Sequence, residues 1–210
     1  MKDKITIAID AMGGENAPYK NIKGICYFLE KNKNKNDFFI NIYGNEQQIK
    51  FEIKKHNTKL DKIKIFNTLS VVSDEETPLT AIKNSKNSSM WRSINSQTED
   101  GADISLSAGN TGVLLVISRM ILKTIEQIGK PALAGLWPSK KGMSVVLDLG
   151  ANIECDENNL VDFSELGAAL YKSIFPKEIP KVALLNIGSE EIKGTELIKK
   201  TYIKLKEAST

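Results

Sequence analysis

Apolar, β-branched runs alternate with stretches of helical spacing along most of this chain. Ile5–Ile9, Phe38–Tyr43, Ile63–Phe66, Asp103–Ser107, Ala132–Trp137, Met143–Leu149 and Lys181–Leu185 read as strands. Between them, Tyr19–Lys31 places Ile22, Ile25, Cys26 and Leu29 on one face, and Asn158–Phe175 does the same with Leu160, Phe163, Leu166, Gly167, Leu170 and Ile174. Glu46–Lys55, Leu79–Asn95, Val113–Leu122 and Thr195–Lys206 complete the predicted helices. Strands alternating with helices argue for an α/β protein, with an open, mostly parallel sheet and helices on both faces, over 1–210 as a single domain.

In such sheets ligands gather beyond the carboxyl ends of the strands, so the loops there carry the candidate chemistry. Four of them are alike: Asp10–Asn16, Ser107–Gly112, Asp148–Asn152 and Asn186–Gly194. Each combines small residues with an amide or an acid. Gly13 and Gly14 follow the Asp10 carboxylate, and Gly150 follows Asp148 on the way to Asn152. Gly109 and Gly112 bracket Asn110 and Thr111 at the start of a helix, where Ser107 ends the strand. Asn186, Gly188 and Lys193 belong to the last loop. Glycine lets a backbone approach a ligand, while Asn110 and Thr111 suit a helix cap whose free amides favour an anion. Ser88 and Ser89, with Lys83, Lys86 and Arg92 nearby, offer hydroxyls and cations to a phosphate. The bland alternative for each acid is a helix cap or a loop brace. Taken together, the amides, two carboxylates and Lys193 suit an anionic, phosphate-like ligand and a developing oxyanion.

Composition narrows the classes. In 210 residues, 41% hydrophobic, a net charge of +3 from 29 basic and 26 acidic residues is too balanced to call for nucleic acid or an anionic membrane. Lys31–Asn36 reads as a solvated loop. Cys26 and Cys155 lack partners at metal-ligand spacing, and two thiols in this length suggest a reducing compartment, with the cytoplasm as the expected location. The start of the chain runs into a strand without an apolar leader segment, and no apolar run is long enough for a spanning helix. The lone histidine, His56, has no triad or metal partners and reads as a surface residue. A Gly-x-Gly-x-x-Gly fingerprint is absent, which weighs against a dinucleotide cofactor. No cofactor or metal is expected.

Six segments resemble the bacterial fatty acyl-[acyl-carrier-protein]:phosphate acyltransferases: Ile7–Pro18, Lys86–Met90, Ser107–Gly112, Lys130–Ala134, Leu147–Asn152 and Leu185–Gly194. They occur in family order over the whole chain, which resembles the N-terminal two thirds of the family. Glu15 stands where the family usually has Asp, and Ser189 where it commonly has Glu. The resemblance implies a fold similar to isocitrate dehydrogenase and phosphotransacetylase. It implies transfer of a long acyl chain from acyl carrier protein to inorganic phosphate, giving an acyl phosphate that a membrane glycerol-3-phosphate acyltransferase uses in phospholipid synthesis. A cytoplasmic homodimer with peripheral membrane contact is implied as well.

Phosphate attacks the thioester without a covalent enzyme intermediate in this reading, and positioning and oxyanion stabilisation supply most of the rate. Phosphate is expected among Gly109–Gly112, Ser88, Ser89 and Lys193. The thioester oxygen is expected near Gly13–Gly14 or Gly150–Ala151, with Asp148 or Asp10 accepting a proton from monobasic phosphate or orienting a cation. Asn110, Asp148 and Asn152 are the catalytic candidates. Two other readings share these residues: a coenzyme A-dependent phosphotransacylase, and an inactive remnant of a longer enzyme.

Overall fold

The computed structural model describes residues 4–56, 60–73, 75–140, 142–188, 190 and 193–208. Where one domain is expected over 1–210, the packing divides the chain into two compact units, Met1–Lys123 and Thr124–Thr210.

The first unit is an α/β layer structure. Its strands are β1 (Ile5–Asp10), β2 (Phe38–Gly44), β3 (Ile63–Asn67) and β4 (Ile104–Leu106), all parallel in the order β3-β2-β1-β4. Helices α1 (Tyr19–Lys31) and α2 (Glu46–Lys54) connect the first three. The two-residue alternation of β2 sorts its side chains by face. Phe38, Ile40 and Ile42 join Ile22, Ile25, Cys26 and Leu29 of α1 and Ile49 and Ile53 of α2 in one buried cluster, whereas Tyr43 turns to the opposite face with Ala8 and Ala102. Ile22, Ile40, Ile42 and Ile49 are almost fully buried, and each such side chain contributes about 1.5–3 kcal/mol.

The opposite face is covered by α4 (Ser89–Glu99), with α3 (Pro78–Asn84) and α5 (Thr111–Leu122) packed beside it. The helix expected over Leu79–Asn95 is therefore two helices. Periodicity alone does not register the break, because its cause is side-chain capping: Thr77 Oγ1 accepts from Thr80 N–H and Ser88 Oγ accepts from Trp91 N–H, each starting a new helix. Serines on the buried side of α4 bring it close to the sheet, where Ser105 Oγ of β4 donates to the Ser93 carbonyl at 2.7 Å.

In the second unit β5 (Ala134–Ser139) and β6 (Gly142–Leu147) form an antiparallel hairpin, followed by α6 (Glu157–Ile174) and α7 (Glu196–Ala208). A capping box starts α6, with Asp156 accepting from Asn159 N–H and Asn159 accepting from Asp156 N–H. The strand expected over Lys181–Leu185 is not formed: the segment has the apolar pattern, but no strand pairs with it among the described residues. Leu185 is 93% exposed there. Among the described residues no helix is long and apolar enough to cross a membrane.

Candidate functional site

The order β3-β2-β1-β4 means that the chain builds outward from β1 and then returns to its other side. The carboxyl ends of β1 and β4 therefore flank the point where the direction of winding reverses, the place where open α/β sheets receive ligands.

Asp10 ends β1 and is 2% exposed. Its Oδ2 accepts from Ser107 Oγ–H at 2.7 Å and its Oδ1 accepts from Met12 N–H at 3.1 Å. Ser107 Oγ in turn accepts from Gly109 N–H at 3.1 Å, so one polar chain runs from the second loop into the buried carboxylate. The glycines explain how the loops come so close. A Cβ on Gly13 would lie 2.7 Å from Asp10 Oδ2 and 2.8 Å from Gly109 N, and one on Gly14, at φ +86°, would lie 2.6 Å from the Ala108 carbonyl oxygen. Asn21 of α1 braces the first loop by donating to the carbonyls of Ala11 and Gly13.

Asn110 caps α5, accepting from Val113 N–H at 3.1 Å, and its Nδ2 donates to the Glu76 carbonyl. Thr111 and Gly112 follow at the exposed start of that helix, where peptide dipoles and amides favour an anion. Ser88 and Ser89 occupy a different helix start. Ser88 is spent on capping α4, and Ser89 is fully buried with no hydrogen-bond partner for its Oγ among the described residues. They adjoin the first cluster through Met90, whose Cε lies 2.9 Å from where a Cβ of Gly109 would stand.

The second unit holds the other two loops. Asp148, at φ +58°, accepts through Oδ1 from the backbone N–H and the Nδ2 of Asn152, at 3.1 and 3.0 Å. Asn152 Nδ2 also reaches the Pro131 carbonyl at 2.9 Å. Gly150, at φ +82°, donates to the Asp148 carbonyl, which closes the turn. Cys155 Sγ donates to Asp148 Oδ2 at 3.5 Å. Burial pushes this thiol up from its ordinary value, and the Asp148 carboxylate adds to the shift. In the last loop Asn186 accepts from Ile187 N–H and donates to the Lys193 carbonyl, and Gly194, at φ +93°, lies against the Asn186 side chain. Gly188 is half-buried beside the exposed Lys193. Ser189, Glu191 and Ile192 of this loop lie outside the described residues.

The structure thus joins Asp10, Gly13, Gly14, Ser107 and Gly109 directly, with Asn110, Thr111 and Gly112 continuing from them. Separately, it joins Asp148, Gly150 and Asn152. Sequence reasoning missed the braces: Asn21, the Glu76 carbonyl and Cys155. Asn21 lies outside the apolar stripe of α1, and Cys155 has no partner at a recognisable spacing in the sequence to mark it.

The fold is shared with solved phosphotransacetylases. A phosphotransacetylase from Staphylococcus aureus superposes with a TM-score of 0.65 at 14% identity, over 99% of this chain and 65% of that one. The chain belongs to the family of fatty acid synthesis proteins, whose model matches residues 5–210. It is 52% identical to a phosphate acyltransferase of Pelagibacter ubique over 207 residues, 99% of this chain and 61% of the relative. It is 41% identical to a phosphate acyltransferase of Ehrlichia ruminantium over 203 residues, 97% of this chain and 60% of the relative. The resemblance carried by the six sequence segments therefore holds, and the chain spans about three fifths of the length of these curated relatives.

Proposed function

We propose that this chain supplies acyl-transfer machinery that moves a long-chain fatty acyl group from the thioester of acyl carrier protein to inorganic phosphate. The observation that carries the reading is the interlock of Asp10, Gly13, Ser107 and Gly109 at the reversal point, immediately before the exposed start of α5. Family membership and the names of the relatives support the chemistry.

Phosphate sits at the start of α5, against Asn110, Thr111 and Gly112, where the helix dipole offsets its charge. One phosphate oxygen attacks the thioester carbonyl carbon. A C–O bond forms, the carbonyl oxygen takes the negative charge, and loop amides stabilise it. Collapse breaks the C–S bond, the carrier thiolate leaves and takes up the proton that the attacking hydrogenphosphate gives up, and the acyl phosphate is released. Asp10 is a positioning residue in this scheme, since it reaches the site through Ser107 and Met12. Asp148 and Asn152 are held as one rigid pair, and we assign them the second polar set of the reaction. The same reading makes acyl carrier protein the donor and a homodimer the working form. It makes a membrane glycerol-3-phosphate acyltransferase the consumer of the acyl phosphate, and the cytoplasm, with peripheral membrane contact, the location.

The test is acyl phosphate formation by the purified chain from phosphate and palmitoyl-carrier protein, with palmitoyl-coenzyme A as the comparison donor. Turnover that prefers the carrier protein and falls on Asn110→Ala supports the proposal. Preference for coenzyme A identifies a phosphotransacylase, and the absence of turnover from the folded chain removes the claim that these loops suffice.

A further inference from the structure

Asn21 lies in the first turn of α1, and one of its atoms serves two carbonyls: Nδ2 donates to Ala11 O at 2.8 Å and to Gly13 O at 2.9 Å. The peptide units that follow Ala11 and Gly13 are trans, so in each the N–H points opposite to the held C=O. The Ala11 carbonyl turned toward Asn21 sends the Met12 N–H the other way, where Asp10 Oδ1 accepts it at 3.1 Å. The Gly13 carbonyl turned toward Asn21 sends the Gly14 N–H away from Asn21 in the same manner. Nothing accepts that one: among the described residues the backbone N–H groups of Gly13 and Gly14 have no hydrogen-bond partner.

Gly13 is buried and Gly14 half-buried, and unpartnered N–H groups at such depth are rare in native structures. Two in succession, in a turn, make a concavity that favours negative charge. Their carbonyls are already engaged, Gly13 O by Asn21 and Gly14 O by Ala17 N–H at 3.3 Å, so the loop offers donors without acceptors. Gly14 also adjoins the second loop, since a Cβ on it would stand 2.6 Å from the carbonyl oxygen of Ala108, shortly before Asn110 caps α5. The loop after β6 differs. There Gly150 N–H closes onto the Asp148 carbonyl at 2.8 Å and Asn152 N–H onto Asp148 Oδ1 at 3.1 Å, so both are used within their own turn. Of the two loops whose amides suit a thioester oxygen, the first has the open pair.

We infer that Asn21 is a positioning residue that presents the Gly14 N–H to the thioester carbonyl oxygen as negative charge develops there. The inference rests on the acyl transfer proposed above and assigns its oxyanion donor to one loop and the orientation of that donor to one side chain. When hydrogenphosphate attacks, the C–O bond forms and the carbonyl electron pair moves onto oxygen, where the Gly14 N–H holds it. When the C–S bond breaks, the pair returns to the carbonyl. Asn21 exchanges no proton and touches no substrate; its part is to fix the peptide plane before the reaction, so that the donor need not reorient during it.

The test follows the thioester carbonyl itself. Infrared difference spectra of palmitoyl-carrier protein with an isotope-labelled thioester carbonyl, recorded on the chain with phosphate withheld, should show the C=O stretch moved to lower frequency by the Gly14 N–H. Asn21→Ala and Asn21→Leu, the second close to asparagine in volume, should lose that displacement while still melting cooperatively. With phosphate present, each should lower kcat at least about ten-fold and leave KM for phosphate unchanged. A wild type that turns over, with Asn21 variants turning over equally, overturns the inference and leaves acyl transfer standing. A rise in KM for phosphate with kcat unchanged gives Asn21 a part in binding alone and also overturns it. A displaced carbonyl without turnover supports the inference and removes the claim that these loops suffice. No displacement in the wild type at any donor concentration overturns it. Where a variant fails to fold, the wild-type displacement is read together with the Gly14 amide resonance, which should move on donor binding; an unmoved resonance overturns the inference.

Discussion

Two loops of this protein share an acid, an alanine and a glycine at a strand end and are held by different physics. Asp10-Ala-Met-Gly-Gly and Asp148-Leu-Gly-Ala-Asn each place an acid at a strand end before glycine and small residues. Asp10 is buried, and its strongest partner, Ser107, is 97 residues away in the sequence. Asp148 is half-exposed, and its side-chain partners Asn152 and Cys155 lie four and seven residues away. The first carboxylate is therefore held by a distant loop, whereas the second is held within its own turn, which Asn152 in turn ties to the Pro131 carbonyl. Similar composition at a strand end does not imply a similar role.

The sharpest way to break this contrast is at the carboxylates. Asp10→Ala leaves the half-buried Ser107 hydroxyl and Met12 N–H without their acceptor and should cost about 2–3 kcal/mol in urea unfolding of the first unit. Asp148→Ala, in a wetter site, should cost about 1 kcal/mol. Equal losses would erase the distinction.

The glycines sharpen it next. Gly13→Ala drives a methyl into backbone at Gly109 and should destabilise by about 1–3 kcal/mol. Gly150→Ala meets nothing within 4 Å and carries only the cost of its left-handed φ, about 1 kcal/mol. A Gly13→Ala protein as stable as wild type would show that the two loops do not interlock.

Asn110→Ala removes the α5 cap at a cost of about 1 kcal/mol, and in any turnover assay it should lower acyl phosphate formation without unfolding the protein. Unchanged turnover takes Asn110 out of the site.

The smallest effect is a titration. The Cys155 thiol is raised by burial and by Asp148, so its thiolate should appear, and alkylation begin, at higher pH than for a free cysteine, near pH ~8.5. Protonated Cys155 is the form the fold favours, so its contribution to stability is present at neutral pH and is lost as pH rises through the raised value. Asp148→Asn should shift the alkylation profile back toward lower pH. A profile identical to that of free cysteine in the wild type would dissociate Cys155 from Asp148.

Much of the first unit is legible in the sequence because its signals are local. The alternation of β2 and the face of α1 with Ile22, Ile25, Cys26 and Leu29 can be read directly, and the parallel sheet with helices on both sides follows. The break between α3 and α4 is not legible from periodicity, since Ser85 to Ser88 look like polar surface until Ser88 is seen capping α4. The strand pattern of Lys181–Leu185 is genuine, but pattern supplies no hydrogen-bonding neighbour. At the candidate site, the composition of the loops marks the sheet edge, whereas the meeting of Gly13 with Gly109 depends on strand order, which no short window contains. Glycines read as room for a ligand are, at Gly13 and Gly14, room for the other loop.

The pairing of β1 with β4 also has a kinetic side. The hairpin of β5 and β6 closes over a tight turn, but β4 finds β1 only after two strands and four helices have been laid between them. Loop-closure entropy makes such distant pairing a late event. On that argument the Asp10–Ser107 bond is expected near the end of assembly, and a chain stalled on the way would have its early helices without the loop pairing that the proposed anion site needs. An anion that binds the finished loops acts as a final lock: at 100 times its Kd it adds about 2.7 kcal/mol to the assembled state and nothing to its precursors.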